Sequence, residues 1–401
     1  MGKTQLKVRI DCFRWILFLG VIPFDKAALT LYRSNEIGNI LSYCLLLITI
    51  IIIGFRLVQH KNNREYVVGF FVNRIHIIFI LITVLYFMSG LINENLKLSR
   101  ALSLFCLWAY YVFSLLEYDD SKKLINDISN AAVLLIIISL FLYFINNRNV
   151  YYQESATVFS FKGVALNRNG YIEFALFPVL NYWCNAINNG TKSKIICALV
   201  CMISLYSIII TKSATSIVCI VLFLFFLLLR RPLKRVFSLR LFFVFYIIAF
   251  AVTVIADSSN NWYLNWISNF FGRSTTLTGR TTFWPTTLQL IQKKPILGYG
   301  IDTNVLLECG IIENDPHNGL LYLLLTSGII GAYVFLHIII KMMNKAAFLL
   351  KIDDTVYCVI AFIISWLVRG IVESPFSYTH YIFWTLVIIV FRICYESPQS
   401  R

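Results

Sequence analysis

Long apolar runs constrain this chain more than any other feature of its sequence. They are roughly 18–22 residues long, the length that a helix needs to cross about 30 Å of hydrocarbon. Residues of the AVILMFWYC set make up 59% of the 401 residues and charged residues only 14%, whereas soluble domains average about 45–50% and ~25%. Because one soluble core cannot bury this excess, the sequence excludes a soluble enzyme or a disordered chain. It predicts an all-α integral membrane protein.

Charged residues and Gly, Pro and Asn clusters separate the apolar runs into about twelve candidate transmembrane helices. All of them belong to a single polytopic membrane domain, residues 1–401. The candidate spans are 12–32, 36–57, 73–93, 97–117, 127–146, 163–186, 193–211, 214–229, 239–256, 318–340, 354–372 and 379–396. An even number of spans places both termini on the same side of the membrane.

The basic residues give the orientation. The net charge is +15, and 22 of the 35 Lys and Arg residues fall in the segments on the side of the termini. Lys and Arg are concentrated in cytoplasmic loops of membrane proteins, so both termini are expected in the cytoplasm. No basic stripe alternates with stacking aromatic residues, so we expect no nucleic-acid partner.

One long loop, 257–317, lies on the extracytoplasmic side in this topology. Loops of this length are uncommon and often functional. Within it, residues 261–271 are typical of an aromatic interfacial helix. Residues 281–292 place Trp284, Leu288 and Ile291 on one helical stripe, which predicts a second amphipathic helix packed on the bundle.

Several cations are expected near the membrane boundary on the side of this loop. Arg280 stands at a predicted helix start, where a guanidinium and backbone amides together suit a phosphate. The full set is Arg168, Lys212, Arg273, Arg280 and Arg369. Each has an ordinary alternative: a solvated loop arginine, a polar turn at Lys212, or an ion pair between Arg369 and Glu373 at i,i+4 spacing. Together they predict a site for a lipid-linked phosphate or pyrophosphate.

His317 is the only histidine in the long loop. An imidazole titrates near neutral pH, so it can accept the proton of a hydroxyl group. Pro316 precedes it and Asn318 follows it, and Asn318 can either cap the next helix or bind a polar group. The alternative is a helix-start turn in which His317 only bonds a carbonyl group. No cysteine and histidine spacing indicates a metal site.

Three motifs in order are similar to a known family. They are Thr278-Gly-Arg280-Thr-Thr-Phe-Trp284, then Pro295-Ile-Leu-Gly-Tyr-Gly300, then Pro316-His317-Asn318 before a helix containing Ser327-Gly-Ile-Ile-Gly331. In order, sidedness and spacing this arrangement resembles the O-antigen ligase/polymerase superfamily over about residues 280–340. The turn at Lys212 and the Arg369-Gly pair are more weakly similar.

The resemblance implies a metal-independent, GT-C-like glycosyltransferase without a cofactor, in the bacterial inner membrane. Its partners would be an undecaprenyl-pyrophosphate-linked glycan donor, a glycan acceptor and membrane lipid, with a chain-length regulator and a flippase as further candidates. It implies essential roles for Arg280 and His317 and weaker assignments for Arg369 and Lys212. Where many members have Ser-Arg after the seventh span, this chain has Lys212-Ser213-Ala214.

Two reactions fit these features. Repeat-unit polymerisation on the outer face of the membrane is favoured, because the form of the Thr-Gly-Arg motif is closer to that of polymerases. An O-antigen ligase, which transfers the polymer to the lipid A core, is the alternative. A lipid-linked glycan transporter is the alternative outside enzymes, but it predicts inverted repeats with charges at mid-membrane, and neither is evident in the sequence.

Overall fold

The fold is described from a computed structural model, which covers most of the chain. The described residues are 14–20, 22, 35–59, 74–96, 98–118, 120–153, 159–165, 167–236, 238–254, 280–300, 303–311, 315–349, 353–376 and 380–396. The helices are α1 Asn35–Gln59, α2 Arg74–Ile92, α3 Leu98–Glu117, α4 Ser121–Phe144, α5 Ile172–Asn188, α6 Thr191–Ile210, α7 Ala214–Leu228, α8 Arg230–Val236, α9 Leu239–Val254, α10 Arg280–Lys293, α11 Val305–Glu308, α12 Gly319–Leu349, α13 Asp354–Arg369 and α14 Tyr381–Glu396. Short 3-10 helices span Arg14–Gly20, Arg148–Val150 and Arg168–Gly170, and the strands are β1 Tyr151–Gln153 and β2 Phe159–Phe161.

The helical part of the fold is that of an all-α membrane protein. Eleven of the twelve predicted spans coincide with a helix. By length and composition, three helices in the described part of the chain could cross a membrane: Ser121–Phe144, Thr191–Ile210 and Gly319–Asn344. Shorter apolar helices accompany them, with large apolar side chains such as Phe55, Met202 and Phe245 exposed on the outside. A surface of this kind suits lipid rather than water. The number of spans stays a prediction.

The first predicted span, 12–32, has a different structure where it is described. Residues Arg14–Gly20 form a 3-10 helix that packs on α1 and α4. Arg14 lies 3.2 Å from the Asp127 carboxylate and over the Tyr118 ring, and the Phe18 ring is buried against Tyr110. This charged anchor fixes the segment beside the end of α3 and the start of α4.

The sixth predicted span, 163–186, begins nine residues too early. The helix starts at Ile172. Before it, a turn at Gly163 follows strand β2, and residues Arg168–Gly170 form a 3-10 helix. Gly163 has a φ of 60°, and a Cβ there would lie 2.5 Å from the Tyr171 ring. The left-handed backbone and this close approach require glycine, so a helix cannot run through the position.

The interior of the bundle centres on α5, α13 and α14. Helix α5 packs on α4, α6 and α13, and α14 packs on α3, α4 and α12. The α13 helix begins with Asp353, whose carboxylate accepts the Thr355 N–H at 2.7 Å, which is the standard N-cap arrangement. Most residues of α13 are buried. Its last turn, at Arg369, therefore meets the ends of several other helices.

Helix α12 is interrupted at Gly328, where φ is 63°. The segment 295–300 fills the interruption with backbone hydrogen bonds: Tyr299 N donates to Leu325 O at 2.8 Å, and Ile329 N donates to Pro295 O at 2.8 Å. Peptide groups released by the break are thereby satisfied. The Pro-Ile-Leu-Gly-Tyr-Gly motif thus fixes the loop to α12.

Helix α10 packs against the first part of α12. The Trp284 side chain is buried against Val254 and Leu321, with Leu288 and Ile291 partly buried beside it. The apolar stripe predicted for this segment therefore faces the bundle. Residues 261–271, where an interfacial helix was predicted, lie outside the described residues.

Candidate functional site

The His317 loop, residues 315–318, is held in a strained conformation at the start of α12. His317 has a φ of 49°, which is unusual for a residue with a side chain. The Asp315 carboxylate accepts the His317 backbone N–H at 2.7 Å and the Ser374 hydroxyl at 2.5 Å. Strained residues of this kind persist where the surrounding contacts enforce them, and they concentrate at functional sites.

Asn318 fixes this loop to two helices. Its buried side-chain oxygen accepts the N–H groups of Leu320 and Leu321 at 3.1 and 3.0 Å, which caps α12. Its amide donates to Ile371 O at 2.8 Å, beyond the end of α13. The cap is one of the two roles predicted for Asn318, and both polar ends of the side chain are bonded within the protein.

Two further contacts enclose the His317 loop. The Trp284 indole N–H donates to the Pro316 carbonyl at 2.9 Å, which ties the loop to α10. Gly319 N donates to Gly370 O at 2.7 Å, and the Phe376 ring lies where a Cβ of either glycine would be. Two other chain segments, α10 and residues 370–376, therefore determine where His317 lies.

A carboxylate faces the His317 ring. Glu373 Oε2 lies 3.7 Å from His317 Nδ1. The other oxygen of Glu373 accepts the Asn169 amide at 2.7 Å, and the Asn169 side-chain oxygen accepts the Ser213 hydroxyl at 2.7 Å. These contacts join the α12 start, the α13 end, the α5 start and the turn between α6 and α7.

A buried ion pair lies beside this chain of contacts. Arg369 Nη1 is 2.5 Å from Glu173 Oε1, and Arg369 Nη2 donates to the Asn169 backbone carbonyl at 3.0 Å. His380 Nε2 lies 3.1 Å from the same Glu173 oxygen. Arg369 therefore pairs across the bundle with Glu173, and Asn169 links this pair to Glu373.

The electrostatics of the loop are unusual at Asp315. Burial raises the pKa of the Asp315 carboxyl above its ordinary value. The nearby His317 charge and the hydrogen bonds from Ser374 and the His317 N–H act in the opposite direction, but burial is the larger effect. In the part of the chain that the structure describes, no three His, Cys, Asp or Glu side chains come together as a metal site would require.

The predicted site residues are distributed as follows. His317, Asn318 and Arg369 lie in the connected set of contacts described above. Arg168 and Lys212 are the sequence neighbours of Asn169 and Ser213, and Lys212 has a φ of 53°. Arg280 is the first residue of α10, one turn before Trp284, and Arg273 lies outside the described residues.

Sequence reasoning did not assign roles to several residues of this set. Glu173 carries no motif, and the sequence suggested Glu373 only as a neighbour of Arg369. Asn169 and Ser213 lie in short polar segments without a recognised motif, and His380 simply precedes α14. The available signal was polarity: these residues interrupt apolar sequence at helix ends on the same side of the predicted membrane.

Comparison with known proteins supports the motif analysis. Residues 199–336 match the family described as O-antigen ligase. The matched segment runs from α6 into α12 and includes Lys212, Arg280 and His317, whereas Arg168, Arg369 and Glu373 lie outside it. No curated protein matches the chain. Over these residues, the match confirms the resemblance to the superfamily that the three motifs indicated.

Proposed function

We propose that this protein polymerises lipid-linked glycan repeat units, because residues 199–336 match the family described as O-antigen ligase. The donor is a glycan on undecaprenyl pyrophosphate, and the acceptor is a hydroxyl group of a second lipid-linked unit. One observation carries this proposal: a strained, firmly held histidine is connected through Glu373 to Asn169 and Ser213, and a cation precedes each of these last two residues in the sequence. That combination suits proton removal from a sugar beside a pyrophosphate.

The reaction is a substitution at the anomeric carbon of the donor. His317 accepts the proton of the acceptor hydroxyl as the oxygen forms its bond to that carbon. The bond from the carbon to the pyrophosphate oxygen breaks, and undecaprenyl pyrophosphate leaves with the electron pair. Position matters as much as basicity here, because holding both substrates in line lowers the barrier. The contacts from Asp315, Trp284 and Asn318 keep the imidazole in place for this step.

Cations stabilise the leaving group. Arg280 is the principal pyrophosphate ligand in this proposal, since a guanidinium forms two parallel hydrogen bonds with phosphate oxygens. Arg273, Lys212 and Arg168 complete the positive set around the phosphates. Their stabilisation is strongest in a water-poor site. Undecaprenyl pyrophosphate is already a good leaving group, so the scheme relies on these side chains and uses no metal ion.

In this scheme, Arg369 and Asn318 do not contact the substrate but act through the residues that they hold in place. Arg369 is buried and bonded to Glu173 and to the Asn169 carbonyl. Asn318 caps α12 and bonds the connection after α13. Both residues therefore hold the ends of helices around His317. Their replacement is expected to misplace the imidazole rather than to remove a phosphate ligand.

The site is proposed to face the outside of a bacterial inner membrane, with both termini in the cytoplasm. The helix ends around His317 are opposite to the ends that carry the Arg14–Asp127 and Lys234–Asp354 ion pairs. The latter ends belong to the basic side of the predicted topology. Lipid-linked units would reach the site after a flippase has moved them across, and a chain-length regulator would act on the growing polymer.

Ligase activity is the second candidate, because the matched family is described as O-antigen ligase. The two functions share a donor and differ in the acceptor. Electrophoresis of surface polysaccharide from a strain lacking the gene separates them. Loss of all but one repeat unit supports the polymerase. Full-length polymer that remains on its lipid carrier supports the ligase, and an unchanged profile would refute both.

A further inference from the structure

We infer that Glu373 is the positioning residue for His317: its carboxylate orients the imidazole and stabilises the imidazolium formed during transfer. The inference rests on the proposed function, because it assumes that His317 accepts the proton. It adds a residue outside the segment matched by the family, which ends at 336. The positions of His317 and Glu373 are brought together only by the packing of α12 against the end of α13.

The orientation of Glu373 is determined by its own contacts. The side chain is 8% exposed, and Oε1 is engaged by the Asn169 amide at 2.7 Å. Asn169 is in turn bonded to Ser213 at 2.7 Å, and Glu373 N donates to the Arg369 carbonyl at 3.0 Å. With one oxygen held by Asn169, the other, Oε2, is directed to His317 Nδ1 at 3.7 Å.

The distance of 3.7 Å is that of an ion pair rather than a hydrogen bond. Catalytic hydrogen bonds are often long before substrate binds and shorten in the complex. When Nδ1–H of His317 faces the Glu373 carboxylate, Nε2 remains as the atom that accepts the substrate proton. The proton arriving on Nε2 creates a positive ring, and the nearby carboxylate stabilises it. Glu373 thus acts through His317 and need not touch the sugar.

Other charged groups around the pair do not replace Glu373. The Asp315 carboxylate accepts hydrogen bonds from the backbone N–H of His317 and from the Ser374 hydroxyl. The Glu173 carboxylate pairs with Arg369 and His380. The cations Arg168 and Lys212 adjoin Asn169 and Ser213 in the sequence. The Asp315 carboxylate also acts on the His317 charge, but its oxygen is already bonded to the backbone N–H and to Ser374, whereas Glu373 Oε2 lies 3.7 Å from the ring nitrogen Nδ1.

The test compares Glu373→Gln with Glu373→Asp, using purified full-length protein and a lipid-linked repeat unit as substrate. Gln preserves the shape and the bond to Asn169 but removes the charge. Turnover is expected to fall about 10–100-fold, as is typical for residues that orient a functional histidine. The acid limb of the pH profile for kcat/KM is expected at lower pH, because the carboxylate favours the protonated ring. Asp is expected to restore the limb to its wild-type position.

Glu308→Gln is the matched control, since Glu308 is an exposed carboxylate in the same long loop, and it should leave turnover and pH profile unchanged. If Glu373→Gln reduces the amount of folded protein, Asn169→Ala takes its place. That change keeps the carboxylate but releases it from its fixed place beside His317. We therefore expect a moderate loss of turnover and an acid limb at lower pH, with a smaller displacement than in Glu373→Gln.

Two results would overturn the inference. One is a Glu373→Gln protein with wild-type turnover and an unshifted acid limb. The other is reduced turnover that follows only a loss of thermal stability, with an unchanged pH profile, because a purely structural role predicts this. His317→Ala distinguishes failure of the inference from failure of the proposed function. An active His317→Ala protein refutes the function itself, whereas an inactive one beside a normal Glu373→Gln protein refutes only the role of Glu373.

Discussion

The buried ion pair between Glu173 and Arg369 should dominate the stability of this end of the bundle. Both side chains are 8% exposed, and the partner atoms are 2.5 Å apart. Glu173→Gln would remove the directly bonded counter-charge of the buried guanidinium, beside His380, and leave only the Glu373 carboxylate to act on it. Removing one partner of a buried pair typically costs about 3–5 kcal/mol. We therefore expect a loss of this size in the free energy of unfolding.

A second ion pair provides the control. Asp354 contacts Lys234 at 2.8 Å, but its side chain is 32% exposed, at the opposite end of α13. Asp354 also lies 3.3 Å from Arg230. Because solvent screens a partly exposed carboxylate more than a buried one, Asp354→Asn should cost less than Glu173→Gln. Both changes preserve the shape of the side chain and remove one negative charge, so the two variants differ mainly in how deeply the lost charge was buried.

The assay is chemical unfolding of the purified protein in detergent, followed by tryptophan fluorescence. Glu173→Gln, Arg369→Met and the double variant form a cycle that isolates the coupling between the two side chains. A coupling of about 0.5–3 kcal/mol is expected for directly contacting residues. Equal losses in Glu173→Gln and Asp354→Asn, or strictly additive single changes, would refute the reasoning.

Three further predictions concern the phosphate site, the α12 interruption and the topology. Arg280→Lys keeps the charge but loses the two parallel hydrogen bonds of a guanidinium, so polymer formation should fall strongly at normal protein levels. The control, Arg240→Lys, should have no effect. Near-wild-type activity of Arg280→Lys would exclude a site that requires a guanidinium. Gly328→Ala should lower stability by at least about 1–3 kcal/mol, measured by thermal unfolding, because φ is 63° and a Cβ would lie 2.1 Å from a facing carbonyl oxygen; an unchanged melting temperature would contradict the strain. A variant that keeps Cys309 as its sole cysteine should react with a membrane-impermeant thiol reagent on intact cells. A variant with Leu233→Cys as its sole cysteine should be protected. The reverse pattern would show that the predicted orientation is wrong.

The sequence was sufficient for most of the helices, because hydrophobicity over the length of a membrane span is a local property. It was insufficient where a local turn or ion pair determines the backbone in place of hydrophobicity. The predicted span 163–186 begins with a turn rather than a helix, since Gly163 adopts a left-handed backbone against Tyr171. The 12–32 run includes a 3-10 helix anchored by Arg14. Average hydropathy does not detect either feature.

The site was predictable only in its separate parts. The helix-start turn identified His317 and Asn318, and the cap that Asn318 forms follows from local chemistry. The partners could not be derived in this way. Glu373 meets His317 across 56 positions of sequence, and Arg369 meets Glu173 across 196. Such contacts depend on how helices pack, which no spacing rule supplies. The i,i+4 relation suggested Glu373 as the partner of Arg369, but the guanidinium is directed to Glu173.

The central claim is that His317 removes the proton from the attacking hydroxyl. The most direct measurement is turnover of purified lipid-linked substrate by His317→Ala and His317→Gln at matched protein amounts. General-base assistance is typically worth about 10²–10⁴-fold, and both variants should lose activity on that scale while still binding the donor. Gln can form a hydrogen bond but cannot take up the proton at neutral pH. Wild-type turnover by His317→Gln would contradict the claim and leave His317 as a structural turn residue.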